Sequence, residues 1–193
     1  MMKRALVILA PGFEEIEAVV PIDLLRRAKI EVVVAGILPG VITGSRKIRI
    51  VPDYDLEDVL EEHFDCIILP GGAEGAENLK KDIRIKELLE RQILKGGWVA
   101  AICAAPGCLI NFGLFPSNKF TCHPSIKAEI PLSRLEENRS VVVDGNLITG
   151  QAAGSAIEFA FEIIRQLIGE EAVKEVNRSF LSNLPMLGSV RKE

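Results

Sequence analysis

The sequence predicts an α/β fold, a doubly wound and mostly parallel sheet with helices on both faces. Three observations carry this. Short apolar runs of strand length recur as ALVILA, EVVVAGI, DCIIL and VAAI, the pattern of strands buried on both faces. Between most of them lie segments with apolar residues at helical spacing. Right-handed crossovers then leave few topologies open, and ligands in such folds bind where the carboxyl ends of strands meet.

The elements follow in order. Residues 5–10 are a buried first strand. Residues 13–27 carry apolar side chains at positions 16, 19, 20, 24 and 25, which is helical spacing, although Pro21 should kink or break the ladder. Residues 31–37 form a second strand and 46–51 a shorter, alternating one. Residues 56–62 read as a short helix and 65–69 as a third buried strand, left through Pro70-Gly71-Gly72. Asp82 has the position of an N-cap for a helix to Lys95, closed by Gly96-Gly97. Residues 99–102 are the next parallel strand, followed by a helix after Pro106 and a strand over 119–122. A hairpin spans 141–148 around Asp144-Gly145. Residues 154–168 are an amphipathic helix and 170–178 a last short one. The core runs over about 3–178, and periodicity is lost in a tail over 181–193. With no repeats, low-complexity segments or linker, the 193 residues read as one domain.

Composition narrows the function. Hydrophobic residues make up 48% of the chain, so it is neither disordered nor fibrous. A net charge of -4 leaves no electrostatic footprint for nucleic acid. No apolar run approaches the length of a membrane span, and the start of the chain does not read as a signal peptide. Four cysteines without a CxxC pair, in a chain of this size, point to a reducing cytoplasm. With only two histidines, a structural metal site is not expected.

Three loops at carboxyl ends of strands hold the chemistry. Cys103 lies where VAAI hands over to a helix. Amides and helix dipole there stabilise an anion, which should lower the thiol pKa. The alternative is a small buried hydrophobe. Gly71-Gly72 allows close backbone approach, and a Gly72 N–H beside that of Ala104 would form a two-donor oxyanion site. Its alternative is a plain tight turn. Glu14 and Glu15 complement the dipole of the first helix. Glu17 shares a face with Phe13, Val20 and Leu24, so its carboxyl should be buried and protonated near neutral pH. His123 is either a third party to Cys103 or a structural loop residue, and His63 reads as a surface residue. No GxGxxG or Walker pattern occurs, so no nucleotide cofactor is implied.

Four motifs in order, KRALVILAPGFEEIEAVVPIDLLRRA, DCIILPGGAEGAENL, VAAICAAPG and the helix opening at Gly154-Ser155, resemble the ThiJ/PfpI superfamily. Within it the match is to the branch of the parkinsonism-associated deglycase and its bacterial relative YajL. The resemblance implies a flavodoxin-like three-layer sandwich and a homodimer. It implies a reactive cysteine at Cys103, a protonated glutamate at Glu17 and a histidine at His123. The backbone amides fall at Gly72 and Ala104. A pocket arginine reaching across the dimer falls at Arg27 or Arg46. The implied activity needs no cofactor: conversion of glyoxals to hydroxy acids, or removal of early glycation adducts. A non-catalytic oxidative-stress sensor or redox-regulated chaperone would use the same cysteine. Ala104 stands where the protease branch has histidine, which argues against peptidase activity. Ile102 before Cys103, and Pro124-Ser125 after His123, argue against a glutamine amidotransferase. Ala152-Ala153-Gly154 replaces a Gly-Pro-Gly of the branch, so the pocket wall differs.

Overall fold

In the computed structural model, residues 2–180 are described. The tail expected over 181–193 lies outside them. A seven-stranded sheet of order β5-β2-β1-β6-β7-β9-β8 forms the middle layer. Strands β1 (Arg4–Leu9), β2 (Glu31–Gly36), β6 (Cys66–Leu69) and β7 (Trp98–Ile102) pair in parallel, as do the two-residue β5 (Tyr54–Asp55) with β2 and β9 (Leu147–Gly150) with β7. Only the edge strand β8 (Val141–Asp144) is antiparallel, joined to β9 by the tight turn expected at Asp144-Gly145. Gly145 supplies the positive φ, 62°, that this turn requires.

Side chains alternate between two cores. Leu6 and Ile8 of β1 point to one face, and Ala5, Val7 and Leu9 to the other. The first core is covered by α2 (Leu56–Val59), α3 (Ala73–Lys81), α4 (Ile83–Leu94) and α5 (Pro106–Asn111). The second is covered by α1 (Glu15–Arg27), α6 (Ala156–Ile168) and α7 (Glu170–Phe180). The result is the three-layer arrangement that the apolar runs imply.

Several elements differ from the expectation. Pro21 does not break α1, which is continuous over 13 residues with Pro21 buried in it. The strand expected over 46–51 shrinks to β4 (Arg49–Ile50), which pairs with β3 (Ile42–Thr43) in a separate ribbon. Its first residues are drawn into a turn, with Lys47 at φ 70° and the amide of Arg46 held by Glu15. No strand forms over 119–122. The Thr121 amide donates to the Thr149 hydroxyl at 2.9 Å instead of joining a ladder, leaving only a bridge between Phe120 and Leu135. Helix α2 ends early, at Val59. Helix α3 is not marked in the sequence, because AEGAENLKK carries a glycine in its first turn and a single large apolar side chain, Leu79. Asp82 ends α3 and caps α4, its carboxylate accepting from the Arg84 amide at 3.1 Å.

Candidate active site

Neighbouring strands β1, β6 and β7 bring their carboxyl ends together, so the three loops singled out above meet in space. Hydrogen bonds lace them. The Glu14 amide donates to the Gly71 carbonyl at 3.0 Å, and the Gly75 amide to the Gly12 carbonyl at 3.2 Å. A pocket of about 520 Å³ opens over this junction, reached by Glu17, Gly72, Cys103, Ala104, His123 and Arg46.

Cys103 sits on a sharp elbow between β7 and α5. Its φ of 65° is left-handed, which strains a residue with a Cβ by roughly 1–2 kcal/mol. Two hydrogen bonds hold it there. Its amide donates to the Gly150 carbonyl at 2.9 Å, and its carbonyl accepts from the His123 amide at 2.8 Å. The elbow lifts the thiol out of the sheet into the pocket. Cys103 is the one cysteine that is partly exposed, whereas Cys66, Cys108 and Cys122 are buried, and all four are free.

Glu17 is completely buried on the first turns of α1. Its Oε2 accepts from the Gly71 amide at 2.8 Å. Its Oε1 is buried without a hydrogen-bond partner among the described residues, and the carboxyl interacts with the Cys103 thiol. A buried carboxyl oxygen in that setting is best satisfied as O–H. Burial, with a smaller push from the Glu14 carboxylate, moves Glu17 up to about 7. Glu14 itself caps α1, accepting from the Glu17 amide at 2.9 Å.

The thiol does not follow the helix-dipole expectation. Cys103 is pushed up to about 12, first by burial and then by the charge and hydrogen bond of an ionised Glu17. The amides of Gly72 and Ala104 both reach the sulfur and pull the other way. The dipole argument fails because it ignores the buried carboxylate and because α5 is only six residues long. The causes that come from Glu17 vanish when Glu17 holds a proton. A thiolate at Cys103 and a carboxylate at Glu17 therefore oppose one another, and the two groups titrate as a coupled pair.

The two glycines have different tasks. Gly71 orients Glu17, and a Cβ there would lie 2.6 Å from Glu17 Oε2 and 2.8 Å from Cys103 Cβ. Gly72 turns its amide toward the sulfur with φ 88°, and a Cβ there would lie 2.3 Å from the Gly12 carbonyl. Gly72→Ala is therefore expected to destabilise the protein by roughly 2 kcal/mol or more and to lower Tm by about 4–8 °C. A thermal melt superimposable on that of the wild type would show that the loop is free to move.

Of the two arginines, Arg46 lines the pocket and Arg27 does not. Arg27 ends α1, pairs with Asp23 at 2.7 Å and lies over the Phe180 ring at 6.0 Å. The helix that begins at the site carries Arg27 a full helix length away from this chain's own pocket, whereas the resemblance puts such an arginine across a dimer. Glu15 does more than complement the dipole of α1: it accepts from the Arg46 amide at 2.7 Å, the Ser45 hydroxyl at 3.1 Å and the Ile48 amide at 3.3 Å, which fixes the pocket wall bearing Arg46. No sequence signal separates it from its neighbour Glu14. His63 is exposed, as expected. Among the described residues no cluster of His, Cys, Asp or Glu could hold a metal ion, and no helix is long and apolar enough to cross a membrane.

Comparison with known proteins assigns the chain to a family. Residues 3–166 match the DJ-1/PfpI family. Protein dj-1beta of Drosophila melanogaster is 42% identical over 183 residues, covering 94% of this chain and 98% of that protein. The glutathione-independent glyoxalase DJR-1.2 of Caenorhabditis elegans is 38% identical over 173 residues, covering 88% and 91%. The crystal structure of Drosophila melanogaster DJ-1beta superimposes with a TM-score of 0.91 at 41% identity, covering 95% of this chain and all of that one. Oxidised Toxoplasma gondii DJ-1 also gives 0.91, at 34% identity, covering 94% of this chain and all of that one. A family match over most of the chain, and relatives of such identity along nearly their whole lengths, place it: the chain belongs to the DJ-1/PfpI family.

Proposed function

We propose that the protein is a cofactor-free, cysteine-dependent enzyme that converts small 2-oxoaldehydes to 2-hydroxy acids, and takes early glycation adducts as the same chemical class. The observation that carries this is the pairing of an accessible Cys103 with the buried Glu17 and two converging amides. The relative named as a glutathione-independent glyoxalase supports it.

The reaction balances without an oxidant. The Cys103 thiolate attacks the aldehyde carbon of methylglyoxal, and the Gly72 and Ala104 amides hold the alkoxide. Protonated Glu17 gives its proton to that oxygen and leaves a hemithioacetal. The resulting carboxylate removes the hydrogen on the same carbon, and the electrons move onto the neighbouring carbonyl as an enediolate. The hydroxyl proton passes to that second oxygen, and Glu17 returns its proton to the second carbon. The product is a thioester of lactate. Water hydrolyses it, releasing lactate and the thiol. A pKa of about 7 suits Glu17 to both roles, since both of its forms are populated at neutral pH. The test is lactate formation from methylglyoxal by purified protein without added thiol, compared with Cys103→Ala. Absence of lactate, with Cys103 still open to oxidation, would return the protein to the redox-sensor or chaperone reading.

The same reading makes the protein a homodimer of the cytoplasm with small-molecule substrates. Ile16 and Val19 on the outer face of α1 are exposed beside Ile48 and Val51. Glu15 ties the Ile48 amide to α1, which supports reading these exposed apolar side chains as the dimer face. Light scattering should give twice the chain mass of 21.1 kDa at micromolar concentration. A monomeric mass would remove the dimer.

A further inference from the structure

His123 enters the pocket with its ring already committed. The Ser125 backbone amide donates to Nδ1 at 3.2 Å. A backbone N–H has no lone pair to offer, so Nδ1 must be the acceptor and cannot carry the proton of the neutral ring. The Ser125 hydroxyl lies 2.8 Å from the same Nδ1, and with Nδ1 unprotonated it too donates there. The neutral ring therefore keeps its proton on Nε2. That atom has no protein partner among the described residues, and His123 lines the pocket.

The backbone on either side is fixed as firmly. The His123 amide donates to the Cys103 carbonyl at 2.8 Å, and its carbonyl accepts from the Ile126 amide at 3.1 Å. Pro124, next in the chain, opens the 3₁₀ turn Pro124–Glu129 that presents the Ser125 amide to the ring. The ring is thus attached to the Cys103 elbow at one end and set in its tautomer by Ser125 at the other.

We infer that Ser125 is a positioning residue that holds His123 as the Nε2–H tautomer, so that His123 meets substrate as a hydrogen-bond donor and not as a base. What the donor acts on rests on the oxoaldehyde reading above. In that reaction the natural recipient is the second substrate oxygen, where negative charge appears as Glu17 removes the hydrogen from the neighbouring carbon. Glu17 is then the one side chain that carries protons between the carbons. The proton carrier, Glu17, and the donor, His123, are told apart by the hydrogen bonding of a ring nitrogen.

Two measurements test this, one without any turnover. Multiple-bond ¹H–¹⁵N spectra of the whole chain in mildly alkaline buffer, with His63 assigned through His63→Gln, should show His123 as a single Nε2–H tautomer. A dominant Nδ1–H form, or an even mixture, overturns the inference whatever the protein catalyses. The second is kinetic. His123→Gln places an amide N–H near the position of Nε2 but supplies no base. It should keep turnover within about 10-fold of wild type, while His123→Phe loses roughly 100-fold. Equal losses in Gln and Phe would overturn the donor role. Ser125→Ala should lower kcat by about 3–10-fold with the alkylation rate of Cys103 unchanged, because the ring loses one of its two donors. An unchanged kcat would overturn the part given to the Ser125 side chain. If wild type makes no lactate, the oxoaldehyde reading fails and the spectrum alone decides the tautomer.

Discussion

Cys103→Ala should reduce methylglyoxal turnover to background, a loss of at least about 1000-fold, while leaving the fold intact. The expectation rests on what the substitution does and does not remove. Alanine has the same Cβ and suffers the same strain at φ 65°, so the elbow is no worse than before. The hydrogen bonds that hold the elbow, from the Cys103 amide to Gly150 and from the His123 amide to the Cys103 carbonyl, use backbone atoms and survive. Only the partly exposed sulfur goes, and with it the covalent step. Tm should therefore shift by no more than a few degrees. Cys108→Ala and Cys122→Ala should keep their turnover, since both thiols are buried away from the pocket. Substantial turnover in Cys103→Ala would place the nucleophile elsewhere and dismantle the site. A large fall in Tm would mean that the elbow depends on the sulfur in a way the hydrogen bonds do not reveal.

The fold was legible where burial on both faces forces continuous apolar runs, as in ALVILA and DCIIL, since few other environments tolerate them. Elements decided by tertiary contacts were not. Helix α3 forms despite Gly75, and residues 119–122 fail to form a strand because Thr149 takes the Thr121 amide. At the site, Cys103, Glu17, Gly72 and Ala104 could be picked out because the strand–loop–helix order places them at one end of the sheet. The direction of the thiol shift could not. Position at a helix start says which way a dipole acts, but the outcome depends on burial and on the charge of Glu17, which only the packed structure brings to the sulfur. Glu15 and Ser125 were hidden for a related reason. Their partners, the amides of Arg46 and Ile48 and the ring of His123, are set by loop geometry that no local pattern records.

Replacing Glu17 should separate its proton from its hydrogen bond. In Glu17→Gln the amide group still accepts from the Gly71 amide and donates toward the sulfur, but it cannot ionise or carry a proton. Turnover should fall by roughly 100-fold or more. The thiol should titrate lower than in wild type, because burial still raises it but the carboxylate that adds to that rise is gone. Cys103 should therefore alkylate faster with iodoacetamide than in wild type and still ahead of the three buried cysteines. Glu17→Leu also loses turnover, and in addition leaves the Gly71 amide buried without a partner, at a cost of about 1–3 kcal/mol. Stability gives an independent reading. The folded state raises the Glu17 pKa to about 7, so it binds a proton more tightly than the unfolded chain does. The stabilisation from that proton is complete below the unfolded value near 4.5 and is lost as pH rises through about 7. Glutamine behaves as the permanently protonated form and has no such loss. The two proteins should melt together below about pH 4.5, and Glu17→Gln should become progressively the more stable as pH rises from there through about 7, the gap levelling off above that at on the order of 3 kcal/mol. Thiolate absorbance against pH and thermal melts against pH test both halves. Superimposable thiol titrations in wild type and Glu17→Gln, with a stability gap that does not change with pH, would show that this carboxyl does not hold its proton beside Cys103.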